Sequence, residues 1–185
     1  MKIKIVHSCL FTLAAVIFSG CTSTYESTAS VPVRGRLKAD GSAYVALPED
    51  GHFESIPYPG SGRKTALAVS TAFSRHLKKV EVAPEVSSYD ASLEKAKAGS
   101  FDYLVVPTIL HWEDRATEWS GRPDRIQIEL RTVEVPAADT LAIESIKGTS
   151  KWATFGGDVP EDLLKTPIDA YVDSLFTNAP AVTHP

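Results

Sequence analysis

Two stretches of this chain carry residue types and spacings that could do chemistry. The first is Pro59-Gly60-Ser61-Gly62-Arg63-Lys64-Thr65. A phosphate-binding Walker loop needs glycine directly before its Lys-Thr pair and another five residues earlier; Arg63 and Tyr58 stand in those places. The motif therefore fails. What survives is a glycine-rich approach to a helix, where free N–H groups attract anions. Gly60, Gly62, Arg63 and Lys64 are candidate anion-binding residues on that ground. The plain alternative is a flexible turn with an exposed basic end.

The second stretch is His111-Trp112-Glu113-Asp114-Arg115-Ala116-Thr117-Glu118-Trp119-Ser120-Gly121-Arg122-Pro123-Asp124. It links two strand-like segments, and its 14 residues exceed what a hairpin needs. Tryptophan and arginine together are typical of binding hot spots, because each offers large area and a specific polar handle. Trp112, Arg115, Trp119 and Arg122 are thus candidate residues for binding a protein or glycan partner. The alternative is a strand extension in which Trp112 packs inward and the charges are solvated. A further aromatic cluster, Trp152-Ala153-Thr154-Phe155-Gly156-Gly157, reads as packing between a last strand and a last helix.

Other chemistries find little support. His52, His76, His111 and His184 are scattered, and only His111 has an acid at a plausible offset, Glu113. Zinc wants three or four ligands at close spacing. No metal and no cofactor is expected. There is no Gly-x-Ser-x-Gly elbow for a nucleophile. Glu113, Asp114 and Glu118 are not an acid/base pair without geometry. The chain is expected not to be an enzyme.

The residues before this body say where it is delivered. Lys2 and Lys4 precede an apolar run from Cys9 to Ile17 that carries no charge. The run falls short of the ~20 apolar residues that span a bilayer and has the flanks of a secretory signal peptide. Phe18-Ser19-Gly20 then leads to Cys21, and a small pair before cysteine resembles the bacterial lipobox, with phenylalanine where leucine is more usual. The resemblance implies cleavage before Cys21 and acylation of that cysteine, palmitate included. Thr22, rather than aspartate, follows it; by the same resemblance the address is the outer membrane, with the body facing the periplasm or displayed at the surface. Several acyl chains on one residue anchor firmly, since each buried methylene adds ~0.8 kcal/mol.

Removing the first 20 of 185 residues leaves 165, and losing Lys2 and Lys4 takes the formal charge from −4 to −6. That length suits one domain with a substantial core. The acidic balance argues against a nucleic-acid partner, which usually meets a basic face. Cys21 becomes the one cysteine left, so no disulfide forms within a mature chain.

The domain organisation follows: residues 1–20 as signal, 21–38 as a Ser/Thr-rich tether, 39–176 as the folded domain and 177–185 as a tail. Ala43–Leu47 reads as a first strand. A helix follows Gly62, with Ala66, Val69, Phe73, His76 and Leu77 as its buried stripe and Lys78 and Lys79 in its last turn. Val80–Ala83 is a strand stopped by Pro84. Ser88 caps a second helix, with Tyr89, Leu93 and Ala96 on one face and Gly99 as its C′ residue. Phe101–Leu110 is nearly continuous apolar sequence, as in a strand covered on both faces, with a bulge expected at Pro107. Ile126, Ile128 and Leu130 alternate with Arg125, Gln127, Glu129 and Arg131, the mark of a half-exposed strand. Thr140–Ile146 is another strand, with Thr149–Phe155 read as its extension. Pro160-Glu161-Asp162 opens a helical turn, and Thr166-Pro167-Ile168-Asp169 caps a last helix lined by Ile168, Tyr171, Val172, Leu175 and Phe176. The expected fold is an α/β sandwich: one mixed sheet of about five strands with about three helices, in the order β-α-β-α-β-β-β-α.

Phe101-Asp102-Tyr103-Leu104, Lys151 to Gly157 and Pro160-Glu161-Asp162-Leu163-Leu164 are similar to segments of a family of small bacterial lipoproteins classed as a domain of unknown function. The likeness covers most of the chain after about Ala43. The element order also resembles periplasmic α/β domains of Tol-Pal, curli-secretion and penicillin-binding-protein-activator lipoproteins. That resemblance implies a binding or assembly module with an envelope protein partner, held to the lipid bilayer through Cys21. Two other readings stay open: a small hydrolase or transferase acting on cell-wall material, and a lipoprotein that binds a glycan or an anion.

Overall fold

The computed structural model describes residues 23–115, 122–151 and 159–177. Its strands are β1 (Thr24–Val31), β2 (Ser42–Leu47), β3 (His52–Phe53), β4 (Ile56–Pro57), β5 (Lys79–Val86), β6 (Tyr103–Glu113), β7 (Arg125–Glu134) and β8 (Asp139–Thr149). The helices are α1 (Ser61–Phe73), α2 (Tyr89–Ala98) and α3 (Lys165–Phe176), the last led in by a 3-10 turn over Pro160–Leu163. Six strands make one mixed sheet, ordered β1-β8-β7-β6-β2-β5, and β3 with β4 forms a separate small hairpin. β2 runs parallel to both β5 and β6, whereas β6, β7, β8 and β1 are antiparallel in turn.

The apolar pattern explains the layering. Alternate residues of a strand face opposite sides of its sheet. Val45, Tyr103, Val105, Ile128, Leu130 and Ile146 meet α1 and α3 on one side, around Phe73, Ile168, Val172 and Leu175. Tyr44, Leu104 and Val133 meet Leu93, Ala96 and Phe101 under α2 on the other. β2 and the first half of β6 are therefore covered on both faces, as their unbroken apolar runs predict. The alternation in β7 holds as well: Ile126, Ile128 and Leu130 are buried, while Arg125, Gln127, Glu129 and Arg131 reach solvent to varying degrees.

Several expectations are corrected. Residues 24–31, read as part of a tether, are an edge strand paired with β8 from Thr24↔Thr149 onward. The pairing is made by backbone groups, which an uncovered strand edge leaves available. Only Tyr25 and Val31 are half-buried, so no apolar pattern announces the strand. The sheet thereby gains a sixth strand.

Pro107 sits in the ladder opposite Leu130 without a bulge; the irregularity falls between Ile109 and His111. β2 pairs with β6 only as far as Val105, so beyond it that edge makes no demand on the N–H that proline lacks. β5 likewise runs through Pro84 to Val86, which an edge strand tolerates. α1 stops at Phe73, and Lys79 belongs to β5, its ammonium 4.0 Å from the Phe101 ring centroid.

Ser88 caps α2 as expected, its Oγ accepting from the Ala91 N–H at 3.2 Å. At the other end Gly99 is not the left-handed residue. It has φ −81°, and Ser100 takes φ 53°. The N–H groups of Ser100 and Phe101 return to the carbonyls of Lys97 and Ala96, closing the helix. Glycine is needed at 99 for space: a Cβ there would lie 2.6 Å from the Phe101 ring. Finally, α3 continues from the 3-10 turn through Leu164, so Thr166 lies inside its first turn and caps nothing. The Asp162 carboxylate instead accepts from the Val159 N–H at 3.4 Å.

Candidate functional site

The α1 N-terminus shows what its glycines do. The Asp50 carboxylate accepts from the Gly60 N–H at 3.0 Å and from the Gly62 N–H at 2.8 Å. Ser61 Oγ accepts from the Gly51 N–H at 2.8 Å, closing the loop between β2 and α1. An anion does sit at this helix end, but it is the chain's own carboxylate. Carboxylates there satisfy orphan donors and complement the helix dipole. Gly60 holds φ +87°, and a Cβ on Gly62 would come 2.4 Å from the Pro48 carbonyl oxygen. The two flanking cations are engaged elsewhere: Arg63 donates to the Pro84 carbonyl at 3.0 Å, and Lys64 pairs with Glu161. Gly60, Gly62, Arg63 and Lys64 thus form a structural joint rather than an open anion site. Asp50, ten residues before Gly60, is brought there by loop closure alone.

The predicted partner-binding residues separate. Trp112 is buried on the core side of β6, paired with Ile126. Its neighbours His111 and Glu113 face the other way, opposite Gln127 and Arg125. The nearly buried Glu113 carboxylate meets His111 Nε2 at 3.1 Å and Arg115 Nε at 3.0 Å. Phe53, from the small hairpin, completes the group: the Arg115 guanidinium lies 4.4 Å from its ring centroid, and His111 meets it edge-on at 5.2 Å. A cation over an aromatic face and a carboxylate beside it holds Arg115 from two sides. The Arg115 N–H also donates to Asp124 Oδ1 at 2.6 Å, and the Asp124 N–H donates to Ser150 Oγ at 2.9 Å. These bonds tie the ends of β6, β7 and β8 together. Arg122 is exposed close by. Trp119, the Trp152–Gly157 cluster and Cys21 lie outside the described residues.

Beside this group is a shallow depression of about 250 Å³, bordered by His111, Arg125, Gln127, Lys147 and Thr149. Another, of about 360 Å³, lies towards the opposite end of the strands, between Val31, Arg34, Glu134 and Asp139. Among the described residues no group of three His, Cys, Asp or Glu side chains is placed to hold a metal ion. Also among them, no helix is long and apolar enough to cross a membrane.

One buried titratable group escaped the sequence reading. Glu144 sits on the core face of β8 between Ala142 and Ile146 and accepts a hydrogen bond from Ser27 Oγ of β1. Burial pushes its carboxyl above the ordinary value of 4.5, and the Ser27 bond only partly opposes this. Nearby, Tyr171 of α3 shares a 2.8 Å hydrogen bond with Thr132, and its hydroxyl is pushed up by burial and by the Glu144 charge. The native chain therefore holds the Glu144 proton to higher pH than the unfolded chain. Its stabilising share is complete below about pH 4.5 and is lost as pH rises through the native value. Glu144→Gln, which keeps an acceptor for Ser27, is expected to melt higher than wild type at pH 7.5, the gap closing towards pH 4. Thermal melts across that range check it; a variant less stable at every pH would reverse the assignment.

With the fold and this geometry in place, the chain can be set beside known proteins. The family model DUF4823, a domain of unknown function, matches residues 35–175. The chain belongs to that family. Two solved dodecamers of PelC from Paraburkholderia phytofirmans, one a point variant, share the fold of this DUF4823 domain. They align with TM-scores of 0.60 and 0.56 at 13% identity, covering 83% of this chain and 99% and 94% of theirs. Protein XCC0632 from Xanthomonas campestris, of the DUF330 family, aligns with a TM-score of 0.47 at 12% identity over 76% of this chain and 87% of its own. No curated protein matches the DUF4823 chain in sequence.

Proposed function

We propose that this DUF4823 protein is a lipid-anchored envelope lipoprotein whose domain binds or assembles with a partner and catalyses no reaction. The outer membrane, with the domain on its periplasmic side, is the proposed address, supported by Phe18-Ser19-Gly20-Cys21-Thr22. One structural observation carries the binding role. The sheet face opposite α1 and α3 is broad and polar over β6, β7, β8 and β1. Thr108, Glu129, Ser145 and Thr28 lie in register across those four strands, all exposed or partly so. A broad polar surface with one shallow depression suits another macromolecule better than a small substrate, which calls for a deeply concave site. The PelC structures that share the fold were solved as dodecamers, so a second copy of this chain is one partner to test.

Two measurements test the reading. Intact mass and membrane fractionation of the full-length protein should show an acylated, membrane-bound form, with Cys21→Ser released to the soluble fraction. A soluble, unmodified wild type would remove the anchor. A photo-crosslinker at Ser145 should then trap one discrete partner, either another copy or a second envelope protein. No adduct in intact cells would sink the binding role.

A further inference from the structure

We propose that the end of the sheet bearing Thr24, Thr149, Arg125 and Glu113 faces the phospholipid headgroups of the membrane that holds Cys21. This rests on the lipid anchoring proposed above. The chain between anchor and fold is very short. β1 begins at Thr24, three residues after Cys21, and three residues span at most about 11 Å even when fully extended. Thr24 is a paired strand residue and not the free end of a tether. Its partner is Thr149; Thr149 also opposes Arg125, and Arg125 opposes Glu113. Thr24 is thus tied to within about 11 Å of the acylated residue, and the rest of its row across four strands follows at about 4.8 Å per strand.

The opposite end has no such constraint. β8 runs ten residues from Thr149 back to Asp139, which at strand rise is about 33 Å. A rigid sheet anchored at one corner beside an impenetrable surface keeps that corner near the surface and lets the other swing away.

The charges at the near end suit a headgroup layer. The mature chain is acidic as a whole, yet Arg115, Arg122, Arg125, Lys147 and Lys151 gather at this end. Acids are present too. Glu113 is spent on Arg115 and His111, Glu26 pairs with Lys147 at 3.4 Å, and Asp124 is buried. Asp114 is the one acid there that is exposed and has no cation paired with it among the described residues. Arg125 is exposed and has no side-chain partner among the described residues. Exposed cations beside a bilayer are attracted to anionic lipid within a Debye length, ~8 Å at physiological salt.

The test uses the full-length acylated protein in phosphatidylethanolamine vesicles, with and without phosphatidylglycerol. A nitroxide is placed on Thr149→Cys or on Asp139→Cys, since acylation occupies the Cys21 thiol. Nickel chelated to a lipid headgroup serves as the relaxation probe. Relaxation at Thr149→Cys is expected to be several-fold stronger than at Asp139→Cys. Phosphatidylglycerol should strengthen it further, and Arg125→Gln should abolish that increment. Equal, weak relaxation at both sites on a protein whose mass shows acylated Cys21 overturns the orientation and leaves the anchor standing. A protein neither acylated nor bound to vesicles overturns both. Thr149 relaxation indifferent to phosphatidylglycerol and to Arg125→Gln overturns the charge contact.

Discussion

Trp112→Ala is expected to destabilise the domain by roughly 3–5 kcal/mol, as large aromatic truncations in cores do. The side chain is 2% exposed, at the point where β6 turns its apolar face onto Ile126 and the core under α1 and α3. Gly51 is packed so closely on it that an added Cβ would lie 2.6 Å from the Trp112 Cβ. For a chain of this length such a loss lowers the melting temperature by about 10 °C or more. Circular dichroism melts of Trp112→Ala and Arg122→Ala separate packing from binding. The first should fall as stated, while the second, exposed, should stay within about 0.5 kcal/mol of wild type. A Trp112→Ala protein that melts with the wild type would return Trp112 to the surface role its sequence context invites.

Gly62→Ala is the second large effect. A methyl there meets the Pro48 carbonyl oxygen at 2.4 Å, the Asp50 carboxylate at 3.1 Å and the Glu49 carbonyl at 3.2 Å. Two of the three are backbone atoms that no rotamer change can move. Overpacking of this kind costs about 1–3 kcal/mol and more where backbone must shift. Alanine regains about 1 kcal/mol of helix propensity. We expect a net loss of about 2 kcal/mol, read as a lower denaturation midpoint with an unchanged slope. Gly60→Ala is the informative contrast, because it meets open space and suffers only from φ +87°. Equal melting of Gly62→Ala and wild type would show that the helix start does not approach Pro48.

These two positions illustrate how far the residues alone could be read. Gly60-Ser61-Gly62 resembled a phosphate loop because glycine does the same two things in both settings: it allows a left-handed turn and a close approach. Which group approaches is not written in the glycines. Here it is Asp50 and the Pro48 carbonyl, brought in by a loop whose closure depends on β2, β3 and α1 together. Trp112 shows the same limit. Next to Glu113 and Arg115 it looks like part of a binding loop, but a strand sends neighbours to opposite faces, and one residue of register decides which. The bulge between Ile109 and His111 sets that register.

What the sequence determined by itself rests on local physics. Period-two alternation marked β7, unbroken apolar runs marked β2 and β6, and helical spacing marked α1 and α3; each is a property of adjacent residues. The element order and the α/β class followed, and the Ser88 cap with them. Tertiary structure alone decided the rest. β1 pairs through backbone groups that carry no side-chain signature, so eight residues of apparent tether became the sixth strand. Glu144 was drawn under α3 by the alternation of β8, against the polarity of its own side chain, and the offset ion pair between Glu113 and Arg115 formed over Phe53 from a distant hairpin. Each depends on contacts between residues far apart in the chain, and such contacts exist only once the whole sheet has closed.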